Sequence, residues 1–186
     1  MAKLTYTMAS SLDGYVEDEQ GSFAWTKPDE EVHRFVNAHE RSIGTYLFGR
    51  RVYETMAVWE NDPSLAKENE YMREYAEIWE GVDKIVFSRT LDAAPTRRTR
   101  LEREFDPDAI RALKASAERD LAVAGPNLAA SAFEAGLIDE IRMMIAPVIV
   151  GGGKPVLPDG VRLDLELIDE RRFANGMVHL SYRAGG

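Results

Sequence analysis

Residues 120–153, DLAVAGPNLAASAFEAGLIDEIRMMIAPVIVGGG, constrain the fold more than any other stretch of this chain. Leu121–Ala124 reads as a buried strand, Gly125-Pro126-Asn127 as the turn that ends it, and Asn127–Ala135 as a helix. Ile141–Val150 reads as a long second strand that ends in Gly151-Gly152-Gly153. Strand, glycine turn, helix and strand in that order form the repeating unit of a parallel α/β sheet. The same order builds an anion site, because the unpaired N–H groups of a first helical turn and the positive end of its dipole both favour negative charge. The stretch therefore predicts an α/β protein with a phosphorylated ligand or a nucleotide cofactor.

The rest of the chain fits that class. Leu4, Tyr6 and Met8 alternate with Thr5 and Thr7 as a strand does, and Ser11-Leu12-Asp13-Gly14 supplies turn chemistry. Asp29 is placed to cap a helix that runs to about Arg41, with Val32, Phe35 and Val36 at helical spacing. Tyr46-Leu47-Phe48 is a short buried strand closed by Gly49, and Arg50 to Met56 can form a helix. Two arginines at a helix start oppose the dipole, so Arg50 and Arg51 call for a compensating anion. Ser64–Glu80 reads as one amphipathic helix, with Tyr71, Tyr75, Ile78 and Trp79 on one face. Lys84–Phe87 is a strand followed by Ser88-Arg89-Thr90 at its ligand-facing end, and Asp108–Ala117 a helix. Leu163–Leu167 and Val178–Tyr182 form an antiparallel pair around the Asn175-Gly176 turn. The sum is a three-layer α/β domain with a mixed central sheet flanked by helices, and nothing marks a linker within residues 1–186.

Charge and composition narrow the function. With 32 acidic against 23 basic residues and a net charge of −9, the chain has no electrostatic attraction to nucleic acid or to an anionic membrane. A small anionic molecule needs only a local group of arginines. The absence of cysteine removes disulfides, thiolate nucleophiles and Cys-type zinc sites, and suits a reducing cytoplasm. The N-terminal MAKLTYTMASSLDG carries no apolar core of a signal peptide, so the protein is expected to be soluble and not exported. His33 and His39 are six apart and His179 is distant in the chain, which argues against a metal site.

Four motifs then carry a resemblance: SLDGYV, FGRRVYETM, VFSRTL, and the stretch from AGPN to GGGKPVLP. In this order and spacing they resemble the dihydrofolate-reductase-like superfamily, in its RibD C-terminal branch, over nearly the whole chain. The resemblance implies a dihydrofolate-reductase-like fold with a mostly parallel eight-stranded sheet and NADPH lying across the C-terminal ends of the strands. It also implies hydride transfer to a small heterocyclic or sugar-derived substrate, and a homodimer.

The residues themselves agree with NADP(H) at three places. Gly49-Arg50-Arg51 joins a strand end to two guanidiniums, whose forks match phosphate oxygens. Ser88-Arg89-Thr90 adds hydroxyls and another Arg, similar to the family's contact to the adenosine 2′-phosphate. Gly125-Pro126-Asn127-Leu128 resembles the family's pyrophosphate turn. Pro126 there replaces an N–H donor, leaving Asn127 and Leu128 to bind, and a cis Gly125–Pro126 bond is expected. Ala9, Asp13 and Gly14 resemble the loop that passes the nicotinamide. Gly151, Gly152 and Gly153 read equally as a cofactor edge or a plain turn, and Lys154 as a charge near the substrate. Glu30 and Glu31, on the first helix, are the candidate proton donors by analogy with the dihydrofolate reductase carboxylate. Trp25, Tyr53 and Trp59 are candidates for stacking on a flat substrate. The expected activity is an NADPH-dependent reduction of a pyrimidine-, pterin- or carbonyl-type molecule, related to 5-amino-6-(5-phosphoribosylamino)uracil reductase. A dihydrofolate reductase proper and a non-catalytic NADP-binding module are the alternatives.

Overall fold

The structure is a computed structural model that describes residues 1–185. Its strands are β1 (Leu4–Ser10), β2 (Tyr15–Glu17), β3 (Ile43–Gly49), β4 (Asp83–Phe87), β5 (Thr99–Glu102), β6 (Asp120–Ala124), β7 (Glu140–Ile145), β8 (Lys154–Pro155), β9 (Leu165–Arg172) and β10 (Val178–Ala184). Its helices are α1 (Glu30–Glu40), α2 (Arg50–Met56), α3 (Val58–Asn61), α4 (Leu65–Glu68), α5 (Glu70–Gly81), α6 (Pro107–Ser116) and α7 (Pro126–Glu134). Eight strands form one sheet in the order β5-β4-β3-β6-β1-β7-β10-β9, and β2 pairs separately with β8. Within the large sheet β10 alone runs against the rest. The mostly parallel mixed sheet is the one the sequence predicts.

The period-2 pattern of each central strand splits the core in two. Leu4, Tyr6, Leu47, Leu121 and Val123 point to one face, where Phe133 and neighbours of α7, with Ile110 of α6, cover them. Tyr46, Phe48 and Val86 point to the other, against Tyr53 of α2 and Trp79 of α5. Helix α1 completes that second layer through Val32, which packs with Phe173 and Met177. Caps set where the helices begin. The Asp29 carboxylate accepts from Val32 N–H at 3.1 Å, and Asp106 accepts from Asp108 N–H at the start of α6.

Several elements differ from expectation for identifiable reasons. The single helix expected over 64–80 is two, because Asn69 leaves the helical region (φ −162°, ψ 175°) and its side chain caps α5 by accepting from Met72 N–H. The strand expected to reach Val150 stops at Ile145; Pro147 cannot donate to a ladder, and Ala146 N–H turns to the Ser10 carbonyl instead. The C-terminal hairpin is longer than expected, its first strand starting at Leu165 and running to Arg172. Strands β2, β5 and β8 were not expected. The Gly125–Pro126 bond is trans, contrary to the cis bond predicted. The bend is made by Gly125, at φ 99°, and Pro126 occupies the first helical position of α7, where its fixed φ fits a helix.

Candidate active site at the carboxyl ends of the central strands

The strands β1, β3, β4 and β6 run parallel, so their C-terminal ends bring Ser10, Gly49, Phe87 and Ala124 to one rim with the loops that follow them. At that rim two of the predicted clusters become one. Arg50 donates from Nη1 to Thr90 Oγ1 at 2.9 Å and from Nε to Glu54 at 2.8 Å. The Ser88 hydroxyl is buried and accepts from the Thr90 and Leu91 amides, shaping the loop. Arg103 holds the same loop by donating to the Ser88 and Leu91 carbonyls. Arg89 is exposed and, among the described residues, pairs with Glu104 at 3.1 Å. Arg51 is exposed and lies 3.7 Å from Glu17.

The Gly125 turn sits beside them. The positive φ of Gly125 is one that side chains rarely adopt, which favours glycine there, and a Cβ would also crowd Val52 Cγ2 at 3.0 Å. The first intrahelical bond of α7 runs from Ala129 N–H to the Gly125 carbonyl, which leaves the Asn127 and Leu128 N–H groups without helical partners. Asp13 is exposed and accepts from the Val150 and Gly151 amides at 3.2 and 2.8 Å. The Ser11 hydroxyl and those two amides hold its carboxyl below the usual range. Gly14 turns back at φ 86°. Gly153 serves packing: a Cβ there would fall 2.0 Å from the Glu17 carbonyl oxygen. Gly152 lies against the Glu19 side chain, and Gly151 faces open space.

Next to this rim lies a cavity of about 400 Å³ between the sheet and the helices α1, α2 and α5. Its walls are mostly apolar, Val32, Phe35, Val36, Phe48, Val52 and Met144 among them. Ala9, Arg51, Pro126 and Lys154 also line it, which joins it to the predicted cofactor residues. Its inner end is polar and was not anticipated. Glu40, in the last turn of α1, is 9% exposed and accepts from the Tyr46 hydroxyl. Burial raises the Glu40 carboxyl above the usual range, and the Tyr46 hydroxyl and the Arg142 charge offset only part of this. Arg142, inside β7, donates to Glu140 at 2.9 Å; Glu140 is buried and also takes Lys3. His179 is 4% exposed, and burial, with some repulsion from His39, drives its imidazole down to about 4 despite Asp169 at 3.6 Å. His39 stacks on Phe35, ring centroids 4.2 Å apart, and its Nδ1 donates to the Phe35 carbonyl at 2.9 Å.

The expected carboxylates lie elsewhere. Glu30 pairs with Arg34 on the surface of α1. Glu31 spends both oxygens on Arg171 and on the Ala174 amide, which keep it ionised below the usual range and tie α1 to the hairpin of β9 and β10. Neither lines the cavity. Trp25, Tyr53 and Trp59 are also outside it: Tyr53 bonds Thr96, Trp59 packs on Tyr75, and the aromatic lining comes from Phe23, Phe35, Tyr46, Phe48 and Tyr75.

A family profile for the RibD C-terminal domain matches residues 2–179. The chain belongs to the RibD C-terminal domain family. It is 28% identical to the uncharacterized protein YyaP of Bacillus subtilis (strain 168), over 99% of this chain and 96% of that one. Two solved structures share its fold over the whole chain. One is a Shewanella sp. PV-4 protein named for riboflavin biosynthesis (TM-score 0.76, 22% identity, 100% of that chain covered). The other is a pyrimidine reductase-like protein from Corynebacterium diphtheriae (TM-score 0.67, 12% identity, 92% covered). A Thermotoga maritima diaminohydroxyphosphoribosylaminopyrimidine deaminase/5-amino-6-(5-phosphoribosylamino)uracil reductase matches at TM-score 0.66 and 17% identity, this RibD C-terminal domain spanning 57% of that longer chain.

Proposed function

We propose that the chain is an NADPH-dependent reductase that transfers a hydride to a small pyrimidine-, pterin- or carbonyl-type molecule. The observation that supports this reading is that the Gly49–Arg51 and Gly125–Leu128 turns adjoin one apolar cavity, lined by Arg51 and Pro126, while Arg50 bonds Thr90 of the Ser88–Thr90 loop beside them. Their donor set suits phosphates: guanidiniums, hydroxyls and two free amides at the start of a helix. NADPH, when bound, supplies the hydride. Arg50, fixed by Thr90, Ser88 and Arg89 hold the 2′-phosphate end, with Arg51 released from Glu17. The Asn127 and Leu128 amides bind the pyrophosphate, one donor fewer than a Gly-Gly turn would offer. Asp13 orders Gly14 and Gly151 beside Ala9, where a flat ring can approach the backbone.

The proton donor of this reading lies within the cavity rather than at Glu30 or Glu31. His39 is our candidate, since its Nδ1 is committed to the Phe35 carbonyl and Nε2 is left to exchange a proton. The apolar walls keep bulk water from the hydride acceptor. The protein works in the cytoplasm as a homodimer, which the exposed leucines of edge strand β9 support: Leu165 and Leu167 stand open on a strand whose outer edge pairs with no other strand among the described residues. Leu167→Glu should then give a monomer by light scattering.

Titration calorimetry with NADPH and NADH tests the central claim. Arg50→Ala should weaken NADPH at least about tenfold, or 1.4 kcal/mol, and NADH little; equal losses contradict the assignment. Binding of NADPH without oxidation over dihydrofolate, ribosylamino-pyrimidines and aryl carbonyls supports a non-catalytic NADP-binding module instead.

A further inference from the structure

The cavity reaches well below the rim, and the register of the sheet measures how far. Ala9, Met144 and His179 lie on one row across β1, β7 and β10. Thr7 and Arg142 lie two residues lower, and Tyr46, level with Ala122 and Thr5, four residues lower. At about 3.3 Å per residue, the polar end is on the order of 10 Å beneath the row of Ala9. A ligand that fills the space is therefore long, with one end at the rim and the other among Glu40, Tyr46 and Arg142.

The chemistry of that inner end is selective. Arg142 is a donor-only group whose one ion-pair contact among the described residues is to Glu140, so its other N–H groups are open to an acceptor in the cavity. Glu40 has one oxygen on the Tyr46 hydroxyl, and among the described residues the second takes no hydrogen bond. A guanidinium and a carboxyl that line one cavity and feel each other's charge supply the donor and the acceptor that a carbonyl next to an N–H calls for. Lys3 and Arg142 share Glu140, and Arg142 also faces Glu40, so two cations meet two carboxyls and this end has no net positive charge for a phosphate or carboxylate head. The walls above, Val36, Phe48 and Met144, suit a flat apolar body.

We propose that Glu40, Tyr46 and Arg142 form a recognition site for the far end of an elongated, uncharged, planar substrate that carries a carboxamide, primary or cyclic, remote from the atom that is reduced. The inference rests on the cavity being the substrate site of a reductase. Burial makes the discrimination steep, because a head that lacks either partner strands a desolvated polar group. Deep binding of this kind also positions the reacting end at the rim, where Ala9 and the cofactor loops meet.

The test is calorimetry on the full chain saturated with NADP+, using 4-phenylbenzamide, 4-phenylbenzoate and benzamide as probes. 4-Phenylbenzamide should bind at least about tenfold more tightly than the charged or the short probe. Glu40→Gln and Arg142→Gln should each erase that preference, with circular dichroism reporting whether each variant is folded. Equal affinities, a preference for the carboxylate, or no binding of any probe overturns the proposal; so does a preference that survives in both folded variants. If a variant does not fold, the ratios in the unaltered protein decide. The same titration separates the two readings: nucleotide binding without amide preference removes the recognition site alone, and amide preference without nucleotide binding removes the cofactor reading alone.

Discussion

The two faces of the same central strands are built to opposite ends. Toward α6 and α7, β1 presents Leu4, Tyr6 and Met8 and β6 presents Leu121 and Val123, and the layer is solid. Toward α1, α2 and α5 the same two strands present Thr5, Thr7 and Ala9, and Ala122 and Ala124, and the layer is hollow. Side-chain volume alternates with the pleat, so one pair of strands supplies both the adhesive of the fold and the floor of a site. Stability is concentrated on the closed face. The open face can carry buried polar groups because their cost is spread over a core that is already sufficient.

The sharpest way to break this contrast is Leu121→Ala. Leu121 has no exposed surface, and truncation should cost about 2–5 kcal/mol in urea unfolding. A cost under about 1 kcal/mol would mean that the closed face does not dominate. Ala124→Leu makes the opposite change on the open face. The new side chain grows into the cavity, so unfolding should move little, and turnover of any substrate should fall about 100-fold, or 2.7 kcal/mol in barrier. A stability loss matching that of Leu121→Ala would show the open face to be close-packed.

A smaller effect belongs to His179, which Phe35 and His39 of α1, Arg142 of β7 and Asp169 of β9 face. Its imidazole binds a proton from about 6.5 downward when unfolded but only near 4 when folded, because burial disfavours the cation. Stability therefore falls as pH drops from 6.5 towards 4 and changes no further below that. His179→Gln should remove about 1–2 kcal/mol of this acid loss, read from denaturation midpoints at pH 7 and pH 4.5. The smallest effect is at Glu31, whose lowered carboxyl stabilises the fold above its unfolded value of 4.5 and ceases to as pH falls through the folded one. Melting temperatures of the protein and of Glu31→Gln should differ at neutral pH and converge in acid.

The rim was legible in the chain and the interior was not. Gly49 and Gly125 punctuate strand ends, and caps such as Asp29 announce helices locally, so the loops that follow them can be located without tertiary information. Strand β5 reads TRLE, with one apolar side chain, because it lies at the sheet edge and has little to bury. Asn69 is a capping residue inside an otherwise helical pattern, and the pattern masked it. Glu40 of α1 reaches the neighbourhood of Arg142 and His179 only in the folded chain, across more than a hundred residues of sequence. Two signals for them were present. Arg142 interrupts the apolar run EIRMMI, where a buried charge needs a partner, and the small residues of LTYTMA and LAVA alternate with large ones where a solid core would not require it.

The close approach of Gly153 to the backbone of Glu17 has a mechanical meaning. β2 and β8 are stitched together there, with Glu17 opposite Lys154, and Glu17 is also the carboxylate that restrains Arg51. Lys154 and Arg51 both line the cavity. A side chain at position 153 would push the Glu17 backbone aside and so disturb the Lys154 register and the Arg51 contact together, at a single point of the fold.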